Sequence, residues 1–287
     1  MKKVVLAFSG GLDTSYCAIY LAKEMGLEVH AALANTGGFS AEELARIEKR
    51  AYALGVKSYV ALDVTQDYYQ HAIKYMIFGN VLKNSTYPIS VSSERISQAT
   101  AIARYAREIG AYYLCHGSTG AGNDQVRFDM IFNIVAPEIE VIALIREKRL
   151  SREEEIEYLR SHGVDFDFKK AEYSINQGIW GTSVGGKETL TSSETLPEEA
   201  YPSQLKETEP RRVTLTFERG EFVALDGKRY DDRIAAIQAL QAVASRYAVG
   251  RDMHVGDTII GIKGRVGFEA AAPMVIIKAH HMLEKHT

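Results

Sequence analysis

Residues 9–15 read Ser9-Gly10-Gly11-Leu12-Asp13-Thr14-Ser15 and follow directly on the apolar run Val4-Val5-Leu6-Ala7-Phe8. A pair of glycines lets the backbone turn tightly and approach an anion closely. The free N–H groups at the start of the next helix, with the hydroxyls of Ser9, Thr14 and Ser15, then offer several donors to a phosphate. A second loop, His116-Gly117-Ser118-Thr119-Gly120-Ala121-Gly122-Asn123-Asp124-Gln125-Val126-Arg127-Phe128, also sits between a strand-like run and a helix-like one. Within nine residues Thr119, Asn123, Asp124 and Arg127 supply a hydroxyl, an amide, a carboxylate and a guanidinium. That assortment suits an amino acid, whose ammonium needs an anionic partner and whose carboxylate needs a cationic one. Either loop alone also reads as an ordinary glycine turn capping a helix. What favours chemistry is position, because a strand, a loop and then a helix is the context that phosphate binding requires.

The elements that must hold these loops alternate along the first half. Residues 3–8, 28–33, 57–62, 111–115 and 141–144 have strand character, and residues 14–25, 41–54, 92–109 and 151–160 have helical period. Such a rhythm predicts an α/β fold with a doubly wound parallel sheet, whose ligands bind beyond the carboxyl ends of the strands. After residue 163 the style changes. Residues 188–212 are irregular and proline-bearing, residues 213–217 and 221–225 predict a hairpin around Arg219-Gly220, and residues 231–247 predict a helix. Residues 258–263 and 274–277 read as two further strands, and residues 279–286 as the start of a helix. The expected division is a nucleotide-binding domain over residues 1–165 and a second, α+β domain over residues 166–287.

Composition narrows the class of partner. The chain has 287 residues, 46% of them hydrophobic and 25% charged, with a formal net charge of −3. No stretch concentrates Lys and Arg as a nucleic-acid-binding face would, so small molecules are the expected partners. Cys17 and Cys115 lie in apolar contexts without a second Cys or His at metal-ligand spacing, which predicts two buried free thiols. The N-terminal apolar run breaks at Ser9-Gly10-Gly11, too soon for a secretory segment, and no run approaches the roughly 18 residues of a membrane span. A cytoplasmic protein is expected.

The first loop lacks the Gly-Lys-Ser or Gly-Lys-Thr ending of a Walker A motif. It resembles instead the PP-loop of ATP pyrophosphatases, which implies cleavage of ATP between its α and β phosphates. The two loops together resemble argininosuccinate synthase, and the likeness continues through Ala32-Leu33-Ala34-Asn35, Tyr87 and Ser92, Ser174, Ser183 and Gly261-Ile262-Lys263-Gly264-Arg265. The resemblance implies that Ala7, Phe8, Ser9, Gly10, Gly11, Leu12, Asp13, Thr14, Ser15, Ala34 and Gly117 line an ATP site, with Asp13 near the Mg2+ that travels with ATP. It implies that Thr119, Asn123 and Asp124 receive aspartate, and that Tyr87, Ser92, Asn123, Arg127, Ser174 and Ser183 hold citrulline. Asp13, Asp124 and Arg127 are the residues expected to carry the catalysis. The implied reaction activates citrulline as an adenylate and couples it to aspartate, in a family that forms homotetramers.

The chain departs from that pattern in places. Phe8 stands where many members have Tyr. A Glu and a Tyr that members direct at citrulline fall on Gly256 and Phe268, with Asp257 adjacent. A site without that Glu would suit an N-acylated citrulline, the alternative acceptor. Members also continue past Thr287 with a C-terminal arm. A tRNA-modifying relative is disfavoured by the absence of catalytic cysteines and of a basic surface; a nucleotide-binding paralogue without catalysis is the remaining alternative. His280-His281 point about 100° apart on a helix and predict packing or surface roles. Glu153, Glu154 and Glu155 predict a solvated first helical turn, and Trp180 a packing role between Ser174 and Ser183.

Overall fold

The structure, a computed structural model, describes residues 1–165, 173–261 and 263–287. Five strands form a parallel sheet in the order β3-β2-β1-β4-β5: β1 (Lys3–Ala7), β2 (Glu28–Asn35), β3 (Ser58–Asp63), β4 (Tyr113–His116) and β5 (Glu140–Ile142). β1 lies in the middle, with Leu6 beside Ala31 on one flank and Cys115 on the other. Its unbroken apolar run follows from burial on both faces, as parallel sheets require. Side chains alternate across it. Val4 and Leu6 face a core built with α1 (Leu12–Lys23), α2 (Ala41–Ala53) and Leu159, while Val5 faces the opposite core.

α2 begins at Ser40, whose hydroxyl accepts from the Glu43 N–H while the Glu43 side chain returns to the Ser40 N–H. This reciprocal cap satisfies two otherwise orphan donors. Beyond β3 come α3 (Thr65–Tyr68), a π-helical turn (Tyr69–Ile73) and α4 (Lys74–Phe78), and then the long α5 (Ser90–Glu108). α6 (Asp124–Val135) packs with α5 over the second face of the sheet, through Ile102, Ala103, Phe128 and Phe132. α7 (Leu144–Lys148) and α8 (Arg152–Ser161) complete the first half, with α8 capped at Ser151 and Glu154 in the same manner as α2.

The remaining strands are antiparallel. β6 (Ser174–Gly178), β7 (Gly181–Gly185), β11 (Arg251–Asp257) and β12 (Lys263–Glu269) form a sheet in the order β11-β12-β7-β6. β8 (Leu215–Glu218), β9 (Glu221–Leu225) and β10 (Lys228–Arg229) form a small three-stranded one. α9 (Arg233–Ala244) and α10 (Ala271–Glu284) pack with β9 around Trp180. Into that core also run Tyr68, Tyr69, Ile73, Met76 and Ile77, from the segment after β3. Packing thus crosses the division expected from the order of elements. The boundary expected at residue 165 opens onto residues 166–172, which lie outside the described residues, as does Ile262.

Two expected strands are corrected. Residues 258–261 form the turn between β11 and β12, and the strands lie on either side of it. Residues 274–277 belong to α10, where Ala272, Pro273, Ile276, Ile277 and His280 are buried at helical spacing; the β-branched Val275-Ile276-Ile277 imitates a strand because propensity is weaker than packing. Trp180 is fully buried and donates to the Pro88 carbonyl at 3.1 Å. His280 packs inside beside Asn80, and His281 faces solvent. Cys17 and Cys115 are free and buried, and the fold makes them neighbours: the Cys115 thiol and burial push the Cys17 thiol well up. Among the described residues, no helix is long and apolar enough to cross a membrane.

Candidate active site

An open cleft of about 1170 Å³ lies beyond the carboxyl ends of β1, β2 and β4 and is closed on its far side by β6, β7, β11 and β12. Every residue singled out above for a ligand lines it, apart from Gly10 and Ser15; of the two departures, Gly256 lines it and Phe268 does not.

The first loop is shaped by backbone. Gly10 has φ +75°, a region that costs other residues roughly 1–2 kcal/mol, and a side chain there would also press on Ile47 at 3.3 Å. The Gly10 carbonyl turns away from the cleft and accepts from Arg50 Nη1 at 2.6 Å. Gly11 occupies the N-cap of α1 without a side-chain cap, so the first N–H groups of that helix keep their positive end toward the cleft. Ser9 Oγ and Thr14 Oγ1 stand 3.3 Å apart at its mouth. Ser15 is different: it is fully buried and donates to the Gly11 carbonyl at 2.7 Å, so it holds the loop from behind. Gly117 abuts the same turn, and a Cβ there would meet Thr14 Cγ2 at 3.1 Å and Asp13 Cβ at 3.2 Å. The two glycine loops are in contact, and a side chain at 117 would crowd that contact.

Asp13 does not stand alone. Glu155, on α8, is only 3% exposed and hydrogen-bonds to it. Burial and the Asp13 charge push the Glu155 carboxyl up to about 8, and burial also raises Asp13. This corrects the expected solvated turn: Glu153 and Glu154 are exposed, but the third carboxylate turns inward.

Side chains build the middle of the cleft. Asp124 accepts from Arg127 Nη1 at 2.6 Å and from Arg95 Nε at 3.0 Å, and Arg127 Nη2 donates to Ser92 Oγ at 3.0 Å. Burial pushes Asp124 up, yet Arg95 and Arg127 more than offset it and hold the carboxyl below the usual range. Arg95 also reaches Asn176 and the buried Glu94, which takes a 2.7 Å bond from Thr36. Thr119 lies at the rim. Asn123 spends its amide across the cleft, donating to the Asp257 carbonyl at 2.9 Å and accepting from the Ile259 N–H at 2.8 Å.

At the far end Tyr87 is buried, its hydroxyl taking the Val91 N–H at 3.0 Å, and its ring stacks on His254 with centroids 4.5 Å apart. Phe268 packs behind Tyr87, opposite Ser183 across the β7–β12 ladder, and Ser174 is exposed at the rim. Sequence reasoning missed Arg95, Glu94, Asn176 and His254. Arg95 was within reach, three residues after Ser92 on one helix face. His254 sits two residues before Gly256 on one strand face, a spacing that signals nothing until the partner strand is known.

Comparison with known proteins bears on what such a cleft is for. The arginosuccinate synthase N-terminal HUP domain model matches residues 3–165, and the arginosuccinate synthase C-terminal domain model matches residues 173–287. The chain belongs to the argininosuccinate synthase family. Among relatives named argininosuccinate synthase, that of Dictyoglomus thermophilum is 37% identical over 286 residues, covering 99% of this chain and 71% of the relative. That of Xanthomonas campestris pv. campestris is 39% identical over 293 residues, and that of Sulfolobus acidocaldarius 34% over 286 residues; each match covers 99% of this chain and 72% of the relative. The α/β architecture with a parallel sheet and a second, antiparallel part accords with the HUP assignment and with the fold class expected from sequence.

Proposed function

We propose that this protein is a C–N-bond-forming ligase that makes argininosuccinate from citrulline, aspartate and ATP, releasing AMP and diphosphate, in arginine biosynthesis. The observation that carries the reading is the close approach of Gly117 to Asp13 and Thr14, which brings the two glycine loops together in one cleft, within a chain whose two halves both match the family. The ureido oxygen of citrulline attacks the α phosphorus of ATP, forming an O–P bond as the bond to diphosphate breaks. The amine of aspartate then attacks the activated carbon, AMP leaves and the amine proton is released.

In this reading residues 1–165 bind the nucleotide and residues 166–287 complete the acceptor site. Ala7–Ser15, Ala34 and Gly117 receive ATP, Ser15 and Gly10 acting through the shape of the loop. Magnesium arrives as part of that substrate, and Asp13 is the nearby hard oxygen group suited to it. Thr119, Asn123 and Asp124 take aspartate, and Tyr87, Ser92, Asn123, Arg127, Ser174 and Ser183 take citrulline. The rate gain comes from positioning and charge rather than from a covalent side-chain nucleophile. Cytoplasmic location and assembly as a homo-oligomer belong to the same proposal.

Citrulline-dependent diphosphate release from ATP, magnesium, citrulline and aspartate tests it. ATP binding without that release would favour a non-catalytic paralogue. The N-acylated alternative draws no support from the relatives, which are named argininosuccinate synthase.

A further inference from the structure

The far end of the cleft poses a problem of charge. An α-amino acid bound beside Tyr87, Ser92 and Ser183 brings a buried ammonium that needs lone pairs, and leaving one unpaired is costly. Every carboxylate lining the cleft is already engaged. Asp13 hydrogen-bonds to Glu155, Glu43 caps α2, Glu94 holds Thr36 and Gln98, Asp124 holds Arg95 and Arg127, and Asp257 pairs with Lys263. Gly256, on β11, offers no side chain. A Cβ there would lie 2.8 Å from His254 Nε2, so the imidazole already fills the space a side chain at 256 would claim.

His254 is 8% exposed, lines the cleft and has no hydrogen-bond partner on either ring nitrogen among the described residues. Stacking on Tyr87 fixes the plane of the ring without using its nitrogens. Burial, helped by the Lys83 ammonium, holds the imidazole below its ordinary range, so at neutral pH one nitrogen keeps its lone pair. An oriented, buried and unspent acceptor thus lines a cleft whose carboxylates are all engaged.

We infer that His254 Nε2 accepts a hydrogen bond from the α-ammonium of the acceptor amino acid, taking the place of a carboxylate. The inference rests on the citrulline reading above and makes His254 a specificity-determining residue for free α-amino ureido acids.

The test compares citrulline with its des-amino analogue δ-ureidovalerate, using diphosphate release by wild type, His254→Phe and His254→Asn. Phe keeps a ring against Tyr87 but has no lone pair, and Asn restores an acceptor. Wild type should show a KM for citrulline about tenfold below that for the analogue, the scale of one hydrogen bond to a charged group. In His254→Phe the preference should vanish because the citrulline KM rises about tenfold while the analogue KM stays put, and His254→Asn should recover part of it. Equal loss on both substrates would mean that the ring only packs, and wild-type preference for the analogue or for N-acetylcitrulline would mean that no ammonium is bound; either result overturns the inference. Absence of citrulline-dependent release in wild type would instead bring down the functional reading, and this inference with it.

Discussion

The two ends of the cleft are built from different materials. The nucleotide end is made of backbone: a glycine at φ +75°, an uncapped helix start, and a second glycine packed against the first loop. The acceptor end is made of side chains drawn from α5, α6, β7 and β11, held by the Asp124–Arg95–Arg127 cluster and by a stack of rings. Backbone sites depend on a few contiguous residues and tolerate little change. Side-chain sites can exchange one group for another, and the role proposed for His254 is such an exchange.

That contrast can be broken or sharpened by substitution. The largest effect should come from Arg127→Ala, which removes the guanidinium joining Asp124 to Ser92; citrulline-dependent diphosphate release should fall by about 10²–10³-fold, the range for losing one oriented charged donor. Steady-state kinetics would show it, and a loss under threefold would remove Arg127 from the catalytic set. At the other end, Gly10→Ala should cost about 1–2 kcal/mol in urea unfolding from its left-handed backbone alone, and should raise KM for ATP more than KM for citrulline. Equal effects on both substrates would erase the distinction between the two ends.

Glu155→Gln probes the support beneath the nucleotide loop through pH. The Glu155 carboxyl is raised to about 8 in the fold, so its stabilising contribution is complete below the unfolded value near 4.5 and is lost as pH climbs toward and through 8. The amide is neutral throughout, so the Tm of Glu155→Gln relative to wild type should rise from pH 5 to about pH 8 and level off above it. Parallel Tm curves would show that the carboxyl ionises freely. The smallest effect belongs to Asp257→Asn. Its carboxylate is exposed and paired with exposed Lys263, a bond that solvent screening leaves with little net worth. Neither thermal stability nor the citrulline KM should move measurably, whereas a tenfold KM rise would make Asp257, and not His254, the ammonium's partner.

Legibility followed the same division. Ser9 to Ser15 could be read because strand, glycine turn and helix are consecutive in the chain, and the parallel sheet because its strand and helix periods alternate. Glu155 escaped, since a triple-Glu first turn looks solvated until α8 is known to lie against α1. His254 escaped because β11 was itself missed, its sequence Arg-Asp-Met-His-Val-Gly-Asp lacking clean alternation. The β-branched stretch of α10 misled for the opposite reason, local propensity suggesting a strand where burial made a helix.

One structural detail bears on how the molecule could be divided. Tyr68, Tyr69, Ile73, Met76 and Ile77 are encoded before residue 165 but buried among Trp180, Phe222, Ile237 and Ile276. At roughly 1.5–3 kcal/mol for each fully buried large apolar side chain, these contacts rival the net stability of a whole domain. A fragment cut after residue 165 would keep the complete parallel sheet and both glycine loops, yet carry a bare greasy flank. Severed this way, the nucleotide half should aggregate unless its missing partner is co-expressed, and mixing the two pieces should rescue solubility.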